Sequence, residues 1–369
     1  MNKTRLQNTP EDYKQLGLST NEVELWEDGK RTDETTGDYE WWYFDAVMDD
    51  GSSISLNFAT KSAATMSSPK LAPTVTVNIT SKDGTRYKDV ITYAGEEASI
   101  SKEQCDFLVG PHAISGDLKE YTVKITPING LGCDLKLRSR CKPWRPATGH
   151  FDLGGAGKYF TWLFVVPQGD ISGTMTYEGK TFQVKGEGYH DHQWGNMSLF
   201  TDVNHWLWGR QILGGYTVLM FDLVTGAATD YERYPFFCVQ DLEGNVVLDN
   251  MTCDDGFRCE IVEEYFDKDI NKSFPRKIKY TYGHDGKTAN YELSTGDAIY
   301  VNDHYNQSPE AMRKGLDSMG LAPVYIRYTA SGSLELNTEA KSIQETGDMI
   351  YEFAYFTTHY ADVMDTKKI

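Results

Sequence analysis

The sequence predicts an all-β protein made of two consecutive antiparallel barrels. Three observations point there. Aromatic residues are abundant (23 Tyr, 16 Phe and 8 Trp), and such rings pack well on a pleated surface. Short alternating runs are separated at regular intervals by turn signals, as in sandwiches and barrels. A second series of the same texture starts near His205, and 369 residues suffice for two cores.

The elements follow in order. Residues 1–36 read as a polar lead-in with one short helix, anchored by Val23, Leu25 and Trp26. Asp49-Asp50-Gly51 separates the runs Tyr39–Val47 and Ile54–Phe58 and predicts a hairpin. Lys82-Asp83-Gly84, Asn129-Gly130 and Glu178-Gly179 predict further turns. In the second series, Gly214-Gly215 joins Trp206–Leu213 to Tyr216–Val224. Glu243-Gly244 and His284-Asp285-Gly286 follow as turns. Ser308–Met319, with Pro309 near its start and Gly320 after it, is the best helix, and Met349–Thr358 the last strand. The expected domains are a lead-in (1–36), a first barrel (37–200) and a second (201–369). No short-period repeat suggests a solenoid.

A net charge of -18 without a Lys/Arg cluster speaks against nucleic acid as a partner. The polar start and the lack of a long apolar run predict no signal peptide, no integral membrane segment and a cytoplasmic location. The six cysteines (105, 133, 141, 238, 253 and 259) form no Cys-x-x-Cys pair and read as reduced thiols, with a Cys253–Cys259 bridge as the alternative. No Gly-rich phosphate loop or Gly-x-Ser-x-Gly elbow is present, so no cofactor is expected.

The richest chemistry lies in Tyr189-His190-Asp191-His192-Gln193-Trp194-Gly195. Along a strand, side chains alternate faces. The face that begins with Phe182 and Val184 continues through Gly186 and Gly188 to His190, His192 and Trp194. A bulge at the glycines would reverse that assignment. An imidazole can take a proton from water near neutral pH, and an indole face stabilises developing positive charge. Asp191 or Asp222 can orient the imidazole or donate a proton itself. The set suits acid–base chemistry on an apolar alkene, although buried histidines and aspartates also simply tie loops to a barrel mouth. His190-x-His192 has the spacing of two metal ligands on one face. A third (Asp222, His205 or His304) would have to come from elsewhere, and no metal is assigned.

Two further clusters are candidate substrate contacts. Glu40-Trp41-Trp42-Tyr43-Phe44-Asp45 offers Trp41 and Tyr43, alongside a role in core packing and plugging the barrel. In His205-Trp206-Leu207-Trp208-Gly209-Arg210, the side chains of Trp206, Trp208 and Arg210 share one face, as a cation–π stack or a polar handle. On the next strand Val218, Met220 and Asp222 share a face, and a carboxylate continuing an apolar face suggests a purpose.

Glu40-Trp41-Trp42-Tyr43 and Asp191-His192-Gln193-Trp194-Gly195 resemble the two signature blocks of the carotenoid 1,2-hydratase-like (hydroxyneurosporene synthase-like) family. Tyr159-Phe160-Thr161-Trp162 and Gly173-Thr174-Met175 resemble the segments between them, so that the likeness runs from about 37 to 225. The resemblance implies two lipocalin-like β-barrel domains acting on hydrophobic polyene, terpenoid, polyketide or phenolic molecules. It implies a catalytic pair at His192 and Trp194, with Asp222 as the acid; Met220 stands where the hydratases carry a tyrosine. Three functions are therefore expected candidates: a cofactor-independent hydratase or other lyase, a cyclase or isomerase of the Diels–Alder type, and a non-catalytic small-molecule binder. His190, His192, Trp194 and Asp222 favour the enzymes; Asp191, a further catalytic candidate, reads as a structural anchor on the opposite face.

Overall fold

Each predicted hairpin turn carries residues able to adopt positive φ, and each joins two paired strands. The computed structural model describes residues 4–33, 35, 37–62, 65–154, 157–252 and 256–357. Its described residues divide into two compact units, Arg5–Met197 and one running from Ser198 onward.

After β1 (Thr4–Leu6), helix α1 (Pro10–Leu16) is started by Thr9 and Asp12, which cap each other's backbone, and stopped by Gly17 at φ 71°. A single 3₁₀ turn follows at Leu25–Asp28. The strands of the first unit are β2 (Tyr39–Met48), β3 (Ser53–Ala59), β4 (Thr74–Thr80), β5 (Arg86–Thr92), β6 (Ala98–Ile100), β7 (Asp106–Val109), β8 (His112–Gly116), β9 (Glu120–Ile128), β10 (Leu131–Ser139), β11 (His150–Leu153), β12 (Tyr159–Tyr177) and β13 (Lys180–Gly195). The main sheet runs β5-β4-β3-β2-β13-β12-β10-β9-β8-β7-β6. It curls back on itself. Tyr87 of β5 meets Tyr177 of β12 with ring centroids 5.8 Å apart, and Trp42 of β2 meets Phe107 of β7 at 5.3 Å. The concave face holds one apolar core, including Trp42, Phe44, Phe58, Phe107, Leu135 and Leu163.

The second unit is a nine-stranded antiparallel sheet, again curled. Its strands are β14 (Val203–Leu213), β15 (Tyr216–Thr225), β16 (Arg233–Asp241), β17 (Val246–Asp249), β18 (Phe257–Asp267), β19 (Lys272–His284), β20 (Lys287–Asp303), β21 (Leu321–Asn337) and β22 (Ser342–Thr357). The order is β17-β16-β15-β14-β22-β21-β20-β19-β18. Two helices, α2 (His304–Gln307) and α3 (Glu310–Ser318), separate β20 from β21. Phe237, Phe274, Tyr280, Tyr291 and Phe353 are among its core. The architecture is the all-β, lipocalin-like pair that the sequence predicts. Among the described residues, no helix is long and apolar enough to cross a membrane.

The lead-in is held differently from expectation. Leu25 is exposed, whereas Glu27 and Asp28 are buried. Carboxylates anchor this segment, with Val23 packed at the edge of the core. Cys253 and Thr358 lie outside the described residues; the other five cysteines are buried.

Candidate functional site

Strand β13 carries the site. It pairs with β2 in unbroken register, placing His190 opposite Phe44, His192 opposite Trp42, Asp191 opposite Tyr43 and Trp194 opposite Glu40. The irregularities lie between β12 and β13, where β12 carries the extra residues around Val165 and Pro167-Gln168. The glycines therefore do not reverse the faces. Gly186 serves a close approach instead, since a Cβ there would lie 2.1 Å from the Val47 carbonyl oxygen.

On the inward face, His190 and His192 are fully buried. His192 stacks on Trp42, with centroids 4.3 Å apart and planes 16° from parallel, and Trp194 lies tilted at 4.7 Å. Its Nε2 faces Glu40 Oε1 at 2.8 Å, and its Nδ1 faces the Glu27 carbonyl at 3.2 Å. Glu40 also accepts from the Arg31 and Thr32 backbone amides and from the Thr32 hydroxyl. The Glu40 carboxylate and the Glu27 carbonyl occupy both ring nitrogens of His192. His192 is thus bolted to the lead-in, with no free nitrogen to activate water in this arrangement.

His190 donates from Nδ1 to the Tyr43 carbonyl at 2.7 Å, and its Nε2 lies 3.3 Å from Asp28 Oδ2. Burial pulls the imidazole pKa down, but the Asp28 charge and hydrogen bond outweigh it and the net shift is upward. Tyr121 donates its hydroxyl to the same Asp28 oxygen at 2.6 Å, and Trp42 Nε1 donates to the Asp28 carbonyl at 2.9 Å.

Asp191 projects to the other face and is also buried. Three donors converge on its Oδ2: the Tyr189 hydroxyl at 2.7 Å, Trp162 Nε1 at 3.0 Å and Gln193 Nε2 at 3.1 Å. Its Oδ1 has no hydrogen-bond partner. Burial pushes the carboxyl up to about 7, against the lowering effect of Tyr189 and of the nearby His190. Trp41 and Tyr43, both half-buried, project from β2 on this same face, beside Gln193 and Asp191.

The remaining sequence candidates belong to the second unit. Asp222 does continue the inward face of Val218 and Met220, and Met220 is core. The Asp222 carboxylate is already engaged, however: Arg233 Nε lies 2.9 and 3.0 Å from its two oxygens and Arg233 Nη2 also donates to it. It is one half of a buried ion pair rather than a free acid. Trp206, Trp208 and Arg210 occupy the half-buried face of β14, opposite to Leu207, Gly209 and Gln211, so they do not pack in the core. Trp206 donates to Glu352 at 3.4 Å and its ring meets Phe356.

Sequence reasoning missed Asp28, Glu27, Tyr121 and Cys105 as neighbours of the histidines. The available signal was Glu27-Asp28-Gly29, which starts four residues after the apolar Val23. Gly29 passes so close to Lys102 that a Cβ would lie 2.5 Å from its carbonyl oxygen.

The fold and the paired β2–β13 motif define a class, the lipocalin-like proteins with a His-x-Trp pair on an inner strand. Residues 51–234, about half of the chain, match the family model described as carotenoid hydratase CrtC, and the chain belongs to that family. Quinolone epoxide rearrangement protein asqO of Emericella nidulans is 26% identical over 223 residues, covering 57% of this chain and 60% of that protein. The penF protein of the same description from Penicillium thymicola is 28% identical over 216 residues, covering 52% and 58%. The chain thus spans about three-fifths of the length of these curated relatives. Among solved structures, an AttH protein from Nitrosomonas europaea superposes with a TM-score of 0.59 at 13% identity, covering 91% of this chain and 98% of that one. CghA with Sch210972 gives 0.59 at 14% identity (92% and 98%), and kievitone hydratase from Nectria haematococca gives 0.51 at 11% (92% and 95%). These three likenesses concern the fold.

Proposed function

We propose that this chain is a cofactor-independent acid–base enzyme, a hydratase or isomerase of a hydrophobic small molecule, with Asp191 as its proton carrier. The observation that supports this reading is the asymmetry of the Asp191 carboxyl. All three donors sit on Oδ2 while Oδ1 has no partner. In the neutral acid the proton then resides on Oδ1, with no acceptor in the protein. A proton held so is available to an alkene carbon or an epoxide oxygen of a substrate.

The cycle balances without a cofactor. Asp191 gives its proton to the substrate and becomes a carboxylate, stabilised by Tyr189, Trp162 and Gln193. Positive charge develops on carbon beside the rings of Trp41 and Tyr43, whose π-faces attract it. Water or an internal nucleophile adds to that carbon, and its surplus proton returns to Asp191. Water addition is hydration; internal addition or migration is rearrangement. Both outcomes are in keeping with a carotenoid hydratase family and with relatives named for epoxide rearrangement. Trp41, the register partner of Gln193 on the half-buried face, would have to swing aside to admit substrate, while Gln193 stays on the Asp191 carboxyl. His192 and Trp194, on the opposite face, hold β13 rigid behind the acid, and Asp222 has no part in the proton transfer.

The test uses an epoxide- or alkene-bearing quinolone and a prenylated phenol as probes. Asp191→Asn keeps the shape and is expected to lower kcat by about 10²–10⁴-fold while ligand binding persists. Unchanged turnover in Asp191→Asn would remove the proposed role. Binding of probes with no turnover by the wild-type chain would instead favour the non-catalytic binder. Incorporation of ¹⁸O from labelled water separates hydration from rearrangement.

A further inference from the structure

On the inward side of β13, separate from Asp191, a second constellation is built from three distant parts of the first unit. Asp28 comes from the lead-in, Cys105 from the approach to β7 and His190 from β13. All three are buried, and one ligating atom from each lies within 4.8 Å of the others. We propose that Asp28, Cys105 and His190 form a three-residue site for a divalent, thiolate-preferring cation of the zinc type.

Four features of the geometry carry this. The first is ligand chemistry: one S, one N and one carboxylate O, the donor types that zinc takes. The second is spacing. Two metal–ligand bonds of ~2.0 Å at a tetrahedral angle place their donor atoms ~3.3 Å apart, and Asp28 Oδ2 lies 3.3 Å from His190 Nε2. The third is the outer support. His190 donates its other ring proton to the Tyr43 carbonyl at 2.7 Å, which fixes Nε2 as the free lone pair once an ion replaces its proton. Tyr121 donates to Asp28 Oδ2 at 2.6 Å, leaving that oxygen a second lone pair. Such outer hydrogen bonds orient metal ligands.

The fourth feature is Asp28 Oδ1, which is buried without a hydrogen-bond partner; His192 Nδ1 is 3.5 Å away. An orphaned buried carboxylate oxygen is costly. Three protein donors leave the fourth tetrahedral position to a water molecule. The charges also close: a divalent ion, a thiolate, a carboxylate and a neutral imidazole sum to zero, which suits a buried site. Loading the ion releases the Cys105 thiol proton and the proton on His190 Nε2, with no redox change. The ion would fasten the lead-in across the barrel interior.

Cobalt(II) is the probe, added to the full chain after chelation. The expected result is one equivalent bound, with a thiolate-to-cobalt charge-transfer band in the near ultraviolet and intense tetrahedral d–d bands. Cys105→Ala, a small change in the apolar core that also holds Trp42 and Phe107, is expected to stay folded by circular dichroism and to lose the charge-transfer band. Zinc is expected to raise the Tm of the wild type by several degrees relative to chelator, which tests the site even if the variant does not fold. A folded wild type that shows no thiolate band and no zinc-dependent Tm shift overturns the site. A band that persists in folded Cys105→Ala assigns the ion to another thiol and overturns it equally.

Discussion

At residue scale, two adjacent side chains on one strand have opposite tasks. His192 satisfies both ring nitrogens against Glu40 and the Glu27 carbonyl and is sandwiched between indoles. Asp191 keeps one oxygen unpartnered. His192→Ala removes a hydrogen-bond partner of the buried Glu40 carboxylate, a change that costs about 1–3 kcal/mol or more. A fall of that order in the denaturant-unfolding free energy of His192→Ala is expected. A loss below ~1 kcal/mol, which is typical of exposed pairs, would show that the contact carries little stability and would return His192 to the list of candidate bases.

At element scale, the segment from Glu24 to Thr32 acts as a strap. Its 3₁₀ turn is capped by Glu27, whose Oε1 accepts the Glu24 amide at 2.7 Å. Arg145 Nε lies 3.2 Å from the other oxygen, with both side chains buried. Beyond the turn, Gly29 runs against Lys102, and the Arg31 and Thr32 amides end on Glu40. Gly29→Ala places a methyl against backbone that cannot yield cheaply, and overpacking of this kind costs about 1–3 kcal/mol. The expected readout is local: faster amide hydrogen exchange across residues 24–32, with β3 and β4 little changed. Uniformly faster exchange over the whole first unit would show that the strap does not open independently.

At the scale of the whole molecule, the second unit carries an acid sensitivity of its own. His205 is buried, stacked on Phe353 with centroids 5.2 Å apart, and donates from Nδ1 to Asn204. Burial lowers its pKa to about 4; Asp222 opposes the shift, while Arg233 and Lys272 add to it. A folded-state value below the unfolded one means that the unfolded chain takes up the proton first. The stability is therefore intact above the unfolded pKa of ~6.5 and falls as the pH drops toward about 4, by about 3 kcal/mol. Unfolding measured between these limits should show that slope in wild type and a shallower one in His205→Gln. Equal slopes would place the acid sensitivity elsewhere.

Much of this protein is written locally. Gly51, Gly84, Gly130, Gly179, Gly215, Gly244 and Gly286 all adopt positive φ at the predicted turns, because a tight reversal needs a backbone that only glycine adopts without penalty. Alternation along β13 likewise assigned His190 and His192 to the inward face and Asp191 to the other. Other features depended on chain segments far apart in sequence. No local pattern says that Asp28 meets Tyr121 and His190, or that Asp222 is taken up by Arg233, since charge partners are chosen by the curl of the sheet. Leu25 and Asp28 show the same limit: apolar Leu25 is exposed and the carboxylate is buried. Periodicity and turn chemistry are nearest-neighbour properties, which the sequence by itself determined. Which buried carboxylate finds a donor, and which is left with a free oxygen, was decided only by tertiary packing.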